Sequence, residues 1–349
     1  MKVNSKARIA SLDGVRAVSI ALVIFSHVTM PYHLPALWRI DLGKVGVQVF
    51  FVISGFIIST MLLEERRSTG SIDVRAFYAR RIFRIMPAYY VFLAAMALLI
   101  PTGWLMAQYH DLPAAALYYS DYIFPAGTVG HTWSLAVEEQ FYLLWPGALV
   151  LLGTRRSLRR CFLLILAAPA FRIIEETFQI HAHPSQAFEC VCDSLAAGCV
   201  LAILRESLWA RAYYRSIVTS GYLPFAPLAV ILFMAAFPNS IAATSIGISM
   251  LNVVILLLLD RYMRSPSSAV GKFLNSPPVV FVGRISYSLY LWQQPFMFNR
   301  RTIPAAVKII GAMLCATGSY YFIEKPFLRL RAWLQGAKQT LAAVPAEAP

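Results

Sequence analysis

Two residues in the first apolar stretch, Arg16 and His27, could do chemistry together because of their spacing. They bound the segment "RAVSIALVIFSH", in which the residues between them carry no charge. In an α-helix, eleven residues return to the same face within about 20° and rise roughly 16 Å. One helix face would then carry a cation at one end and, at the other, an imidazole able to accept a hydroxyl proton. The structural alternative is an arginine that reaches lipid headgroups and a histidine hydrogen-bonded inside a helix bundle.

The segment "HTWSLAVEEQFYLLWP" places two adjacent carboxylates, Glu138 and Glu139, in an apolar helix. Adjacent helical residues point in different directions, so at most one of them faces a given site directly. If this helix enters from the outer surface, both lie about 10 Å below it, at the depth expected for His27. The sequence therefore predicts an acid beside the base, orienting the imidazole or stabilising the imidazolium. A buried glutamate paired with an arginine for packing is the alternative.

Three arginines, Arg80, Arg81 and Arg84, lie within little more than one helical turn in "RRIFRIMP". Guanidinium groups suit phosphate oxygens, so this cluster could bind a phosphorylated ligand. It could equally anchor a helix at the cytoplasmic surface, and charge alone favours the anchor.

Other polar groups in apolar surroundings are Asp193 in "CVCDSLAAGC", Glu324 in "YYFIEKPF" and Arg284 in "GRISYSLYLWQQP". The serines of the last segment suit helix–helix hydrogen bonding. His181 and His183 form a His-x-His pair in an outer loop, but no further ligand is evident, so no metal site is expected. The five cysteines are interpreted as small buried apolar residues.

These residues must be positioned by helices in a membrane. The 349 residues are 58% hydrophobic and 14% charged, whereas soluble domains average about 45–50% and about 25%. The composition predicts an all-α polytopic integral membrane protein. The net charge of +14 falls in short clusters between apolar runs, as the positive-inside rule predicts, and can attract anionic lipids. Nucleic-acid binding is excluded because no soluble domain is evident to carry it.

About ten helices are predicted to span the membrane. They cover roughly 12–31, 43–63, 82–101, 131–152, 161–180, 192–205, 217–237, 241–260, 279–298 and 303–323. Basic clusters precede the first and follow every second span, which puts both termini in the cytoplasm; Arg300 and Arg301 are exceptions. The segment 102–130 is interpreted as an outer loop with an interfacial or re-entrant piece. Residues 1–331 are expected to form one transmembrane domain and 332–349 a short disordered cytoplasmic tail.

Several segments together resemble the membrane-bound acyltransferase family three, which contains bacterial polysaccharide and lipopolysaccharide O-acetyltransferases and macrolide acyltransferases. They occur in family order between about residues 11 and 331. The matching segments are "LDGVRAVSIALVIFSH", "GVQVFFVISGFIIS", "RRIFRIMPAYY", "HTWSLAVEEQFYLLWP", "CDSLAAGCVLA", "GRISYSLYLWQQP" and "YYFIEKPFLRLR".

The resemblance implies a multi-pass enzyme of the plasma or inner membrane that moves an acyl group, by family default acetyl, from cytoplasmic acyl-coenzyme A to a hydroxyl. The acceptor would be a cell-surface glycan, a lipid-linked sugar or similar. The donor would be a substrate, with no tightly bound cofactor.

The resemblance assigns the family's essential residues to positions in this sequence. Arg16 and His27 match its first motif, with Arg16 helping to hold the donor and His27 activating the acceptor. Arg81 and Arg84 match its Arg-x-x-Arg, which raises the coenzyme A clamp above the anchor. The acidic position matches Glu138 or Glu139, and Glu138 is favoured. Expected supporting residues within the matched segments are Asp13, Glu139, Asp193, Trp133 and Ser134. The family often carries a histidine where this chain has Gln293 or Gln294.

Two other functions share the helices and buried charges. One is a transporter or flippase of lipid-linked sugars or small polar solutes, for which no internal repeat is visible. The other is a non-catalytic membrane scaffold, in which His27 would be dispensable.

Overall fold

The computed structural model describes residues 10–29, 41–123, 127–181, 186–237, 240–298 and 303–342, with side chains described as far as 334. Within these ranges the chain forms helices and no strand, which confirms the all-α prediction. The α-helices are α1 (Ala10–Thr29), α2 (Leu42–Thr69), α3 (Val74–Leu99), α4 (Asp111–Ala116), α5 (Ser120–Ile123), α6 (Thr132–Phe178), α7 (Phe188–Trp209), α8 (Ala212–Thr219), α9 (Ala226–Ala236), α10 (Ile241–Arg264), α11 (Ala269–Leu274), α12 (Pro277–Met297), α13 (Ala305–Ser319) and α14 (Lys325–Ala342).

Five helical stretches are long and apolar enough to cross a membrane, counted over the described ranges. They are α1, α2, Val74–Thr102, α10 and Ala305–Leu334. The pair Ala212–Thr219 and Leu223–Ala236, bent by 64°, would make a sixth if it is one span. The remaining predicted spans lie on α6, α7 and α12, which carry more polar residues. The count of ten and the cytoplasmic termini therefore stay predictions.

Large apolar side chains cover the outside of the helices. Leu98, Leu151 and Phe322 are 78%, 81% and 83% exposed. Large exposed apolar side chains of this kind are unfavourable in water but are what lipid-facing helices present. The outer surface thus agrees with the membrane location expected from composition.

The 47-residue helix α6 is interrupted at Gly153, whose φ of 73° and ψ of 167° are not helical. Glycine adopts this backbone conformation without the steric cost of a Cβ. Across the break, Ser157 Oγ donates a hydrogen bond to the Ala148 carbonyl at 3.0 Å. The predicted spans 131–152 and 161–180 are the two parts of this interrupted helix.

Small residues allow the central helices to approach closely. α2 packs against α7 and α1, and α1 also packs against α12. A Cβ on Gly283 of α12 would collide with the backbone of Asp13 in α1, and a Cβ on Gly55 of α2 would collide with the backbone of Leu195 in α7. Close approach through small residues is a common way to pack membrane helices without a hydrophobic driving force between them.

The predicted outer loop 102–130 contains the short helices α4 and α5, neither long enough to span a bilayer. The hydroxyls of Tyr89 and Tyr90 in α3 donate to the carbonyls of Ala115 and Ala116 and hold α4 against α3. At the other end of the chain, α14 continues to Ala342. The helix therefore runs past the domain boundary predicted at 331, into the segment expected to be a disordered tail.

Candidate active site

Two cavities lie between the central helices, and they differ in their polar lining. The first, which we name the arginine cavity, has a volume of about 220 Å³. Its lining contains six arginines and two glutamates, drawn from α1, α3, α6, α12 and the segment after α13: Arg16, Arg80, Arg81, Arg84, Arg284, Arg331, Glu138 and Glu324.

Arg16 projects from α1 into the arginine cavity. Its guanidinium lies 3.9 Å from the carboxylate of Asp13, which is buried one turn earlier on the same helix. A buried carboxylate at this distance offsets part of the cost of placing a guanidinium in an apolar bundle. Asp13, expected as a supporting residue, therefore contacts Arg16 and is not among the residues that line either cavity.

Arg81 is held by two neighbours from α6. Its Nε and Nη2 both donate to Glu139 Oε1, at 3.0 Å and 2.9 Å, and its guanidinium carbon lies 3.2 Å from the centre of the Tyr142 ring. Glu139 therefore acts as a counterion that orients Arg81. Arg84, one turn further along α3, lines the same cavity, so the Arg-x-x-Arg spacing brings both guanidiniums to one site.

The two adjacent glutamates separate as expected for neighbouring positions on a helix. Glu138 lines the arginine cavity and accepts a hydrogen bond from Ser54 Oγ at 2.6 Å, whereas Glu139 binds Arg81. The sequence-based pairing of Glu138 with His27 is not what the structure has, because the two residues line different cavities. The two depths were estimated along each helix separately, and helix geometry alone does not say which side chains of two helices meet in the bundle.

The second cavity, which we name the histidine cavity, has a volume of about 290 Å³. Two imidazoles and several other polar groups line it, and its lining contains no arginine among the described residues. The residues are Val23, His27, Asp41, Gly43, Lys44, Val47, Gly127, Gly130, His131, Trp133, Gln186, Tyr290, Gln294 and Phe298.

His27 is fixed by a hydrogen bond to a neighbouring helix. Its Nδ1 lies 2.9 Å from Oε1 of Gln293 in α12. When this oxygen accepts, Nδ1 carries the proton and Nε2 keeps its lone pair, which is the form a general base needs. Phe298 packs edge-on against the ring at 5.1 Å and restricts its rotation.

His131 is a second imidazole of the histidine cavity. It is 4% exposed, and neither ring nitrogen has a hydrogen-bond partner within the described part of the chain. The rings of Phe92 and Tyr290 contact it edge-on. A buried imidazole without partners is costly unless a ligand completes its hydrogen bonds. Sequence reasoning missed this residue, although it begins the quoted segment "HTWSLAVEEQFYLLWP".

Tyr290 and Val47 line both cavities and form part of the wall between them. The Tyr290 hydroxyl lies 2.6 Å from Ser134 Oγ and donates to the His131 carbonyl at 3.2 Å. The expected supporting residues Ser134 and Trp133 are therefore both at the cavities, Ser134 in the arginine cavity and Trp133 in the histidine cavity.

Asp193, also expected as a supporting residue, lines neither cavity. Its carboxylate is fully buried, forms an ion pair with Arg172 of α6 at 2.5 Å and accepts a hydrogen bond from Ser249 of α10 at 2.8 Å. It joins α6, α7 and α10. The physical reason is that a buried guanidinium requires a buried counterion, and Asp193 supplies it.

Residues 9–303 match a family model described as an acyltransferase domain. "Putative O-acetyltransferase SACOL0978" of Staphylococcus aureus (strain COL) is 30% identical over 91% of the chain and 57% of its own length. O-acetyltransferase OatA of Staphylococcus aureus (strain NCTC 8325 / PS 47) is 29% identical over 93% of the chain and 58% of its own length. The chain thus spans less than two thirds of these relatives. No solved structure matches it.

Proposed function

The chain belongs to the membrane-bound acyltransferase family three, and on that premise we propose that it is an integral membrane O-acyltransferase. The donor is cytoplasmic acyl-coenzyme A and the transferred group is acetyl. The acceptor is a hydroxyl of a cell-surface glycan, a lipid-linked sugar or a similar molecule. The observation that supports this most is the pairing of an arginine-rich cavity with an imidazole-lined cavity across a shared wall at Tyr290.

The arginine cavity suits the donor. Coenzyme A carries several phosphate charges, and six guanidiniums against two carboxylates give this cavity a strong positive potential. Arg81 and Arg84 bind the phosphates, with Arg81 held ready by Glu139. Arg16 lies on the helix that leads to His27 and contacts the donor further along its length. No tightly bound cofactor is required, because the donor brings the activated acyl group.

The histidine cavity suits the acceptor. His27 Nε2 takes the proton from the acceptor hydroxyl, while Gln293 keeps the imidazole in the required tautomer. His131 supplies a second imidazole that hydrogen-bonds the acceptor. We assign Glu138 to the donor end, where its charge faces Arg16 across the arginine cavity, and not to the partnership with His27 expected from sequence.

The reaction is a direct transfer. The acceptor oxygen attacks the thioester carbon, a C–O bond forms and the C–S bond breaks. The hydroxyl proton passes to His27, and the coenzyme A thiolate leaves and takes up that proton, which returns His27 to its neutral form. The products are an ester and free coenzyme A. The pantetheine arm reaches from the arginine cavity past Tyr290 towards His27.

The membrane arrangement that goes with this mechanism has about ten spans and both termini in the cytoplasm of the plasma or inner membrane. The basic clusters of the sequence support it through the positive-inside rule. Residues 1–331 form the acyltransferase domain, and residues 332–349 follow it as a cytoplasmic tail. Lipids are the remaining partners, and nucleic acid is not one of them.

The proposal is tested by expressing wild type, His27→Ala and His110→Ala in a host that carries the source's own glycans and lipids. His110 is an exposed outer-side histidine and serves as the matched control. Equal membrane levels are checked by blot, and extracted glycans and lipids are examined by mass spectrometry. We expect an acyl-sized mass increment with wild type and His110→Ala, and none with His27→Ala. An increment that persists in His27→Ala would rule out this base.

The transporter alternative makes a different prediction. A transporter of sugars or small solutes should not bind coenzyme A, so equilibrium binding of acetyl-coenzyme A to the detergent-purified protein separates the two. Binding that is absent in wild type would overturn the acyltransferase proposal.

A further inference from the structure

Away from both cavities, three metal-ligating side chains converge where α6 ends and α7 begins. Glu175 lies in the last turn of α6, His181 follows the end of that helix, and Glu189 lies in the first turn of α7. One ligand atom from each lies within 4.8 Å of the other two. His181 Nδ1 is 2.9 Å from Glu175 Oε2.

Among the residues that the structure describes at this place, carboxylates outnumber cations. The main electrostatic neighbours of the Cys190 thiol are three carboxylates, Glu175, Glu189 and Asp193, and one guanidinium, Arg172. Arg172 already forms an ion pair with Asp193 at 2.5 Å. Glu175, whose side chain is only 5% exposed, contacts the imidazole of His181, and Glu189 accepts a hydrogen bond from an uncharged hydroxyl, that of Tyr122. A buried carboxylate in this situation is stabilised by a bound cation.

The surroundings resemble the second layer of a metal site. The Tyr122 hydroxyl of α5 donates to Glu189 Oε2 at 2.9 Å, and its ring contacts that of His181 at 5.5 Å. Hydrogen bonds of this kind orient carboxylate ligands in metal sites. In a tetrahedral site with ligands at about 2.0–2.2 Å, the ligand atoms lie about 3.3–3.6 Å apart. Ligand atoms now up to 4.8 Å apart must therefore approach one another by roughly 1.2–1.5 Å when the ion binds.

We propose that Glu175, His181 and Glu189 bind one divalent transition-metal ion, of which Zn²⁺ is the representative. One imidazole nitrogen with two carboxylate oxygens suits such ions better than Mg²⁺ or Ca²⁺, which prefer all-oxygen sites. The ion ties the end of α6 to the start of α7 and, through Tyr122, to α5. Sequence reasoning expected no metal at His181, because the two glutamates approach it only in the fold.

The test uses the full chain, purified in detergent and stripped with a chelator. Co²⁺ is titrated while its visible absorption bands are recorded, and Zn²⁺ is then added as competitor. We expect one equivalent to bind in wild type and in the control His110→Ala, whose imidazole also lies beside a carboxylate. His181→Ala and Glu175→Gln should each weaken binding at least tenfold, because each removes a ligand. Equal binding by wild type and Glu175→Gln would overturn the proposal.

Thermal unfolding separates a metal site from a simple ion pair. Zn²⁺ should raise the Tm of wild type, as any ligand that binds only the folded state does, and should leave the Tm of Glu175→Gln unchanged. Without metal, Glu175→Gln should be at least as stable as wild type, because it removes an excess charge. If Glu175→Gln is less stable than wild type and Zn²⁺ shifts neither protein, the cluster is an ion pair and the proposal is wrong.

Discussion

The arginine cavity and the histidine cavity lie on the two sides of Tyr290, yet their polar linings differ. The arginine cavity presents guanidiniums that are oriented by carboxylates, as Arg81 is by Glu139. The histidine cavity presents imidazoles and amides together with one carboxylate and one ammonium group, Asp41 and Lys44, and the neutral side chain of Gln293 orients His27. A permanent charge suits the binding of an anion, whereas a neutral imidazole suits the transfer of a proton.

The difference indicates a division of labour that mutations can separate. Changes in the arginine cavity should act on donor binding, and changes in the histidine cavity should act on the chemical step. A bundle that only transports or scaffolds has no reason to show this split.

The largest effect is expected for His27→Ala. Losing a general base typically slows a reaction by about 10²–10⁴-fold, so we expect acyl transfer to fall by that range while the Kd for acetyl-coenzyme A stays within about twofold. The two quantities are measured by a product assay and by equilibrium binding on the same preparation. Loss of donor binding in His27→Ala would contradict the separation of the two cavities.

The next effect is expected for Arg84→Ala. A hydrogen bond to a charged group contributes about 1.5–3 kcal/mol, which corresponds to about 10–100-fold in affinity. We expect the KM for acetyl-coenzyme A to rise by that factor with kcat changed much less. Arg75→Ala, which removes an exposed arginine of the same helix, is the control and should leave KM unchanged. A fall in kcat at constant KM would mean that Arg84 acts on the chemistry.

A smaller effect is expected for Gln293→Ala. It removes one hydrogen bond that selects the His27 tautomer, a loss of about 1–1.5 kcal/mol or roughly tenfold in kcat. Gln293→Glu keeps an acceptor oxygen at this position and should retain more activity than Gln293→Ala. Steady-state kinetics on both variants measure this. If both variants lose kcat equally, the Gln293 amide acts by packing and not by accepting a hydrogen bond from His27.

The smallest effect is expected for Ser134→Ala at the shared wall. The Tyr290 hydroxyl loses its contact with Ser134 but keeps the His131 carbonyl as acceptor. We therefore expect a loss of about threefold in acyl transfer, within the range for one partly compensated hydrogen bond. Parallel product assays on Ser134→Ala and wild type check this, and a hundredfold loss would show that Ser134 takes part directly.

Features that depend on residue spacing along a single helix could be predicted from the sequence. The spacing of Arg16 and His27 fixes their shared face, and the spacing of Arg81 and Arg84 brings both to one cavity. Composition was enough to predict an all-α membrane protein.

Contacts between distant parts of the chain could not be predicted in this way. Gln293 meets His27 across 266 residues, and Arg172 meets Asp193 through the packing of α6 on α7. The placement of Glu138 and His27 in two different cavities depends on how α1, α6 and α12 pack together, which the spacing of residues along one helix does not predict. These are properties of tertiary packing and leave no trace in local spacing.

The close contact between Gly283 and Asp13 makes α12 a lever with its fulcrum at that glycine. Gln293 lies ten residues, or about 15 Å, along the arm. A tilt of only about 4° at the fulcrum would carry the amide roughly 1 Å from His27, enough to break a bond now 2.9 Å long. A single methyl group added at Gly283, a residue without a functional group, would therefore move Gln293 out of hydrogen-bond distance of His27 at the far end of the helix.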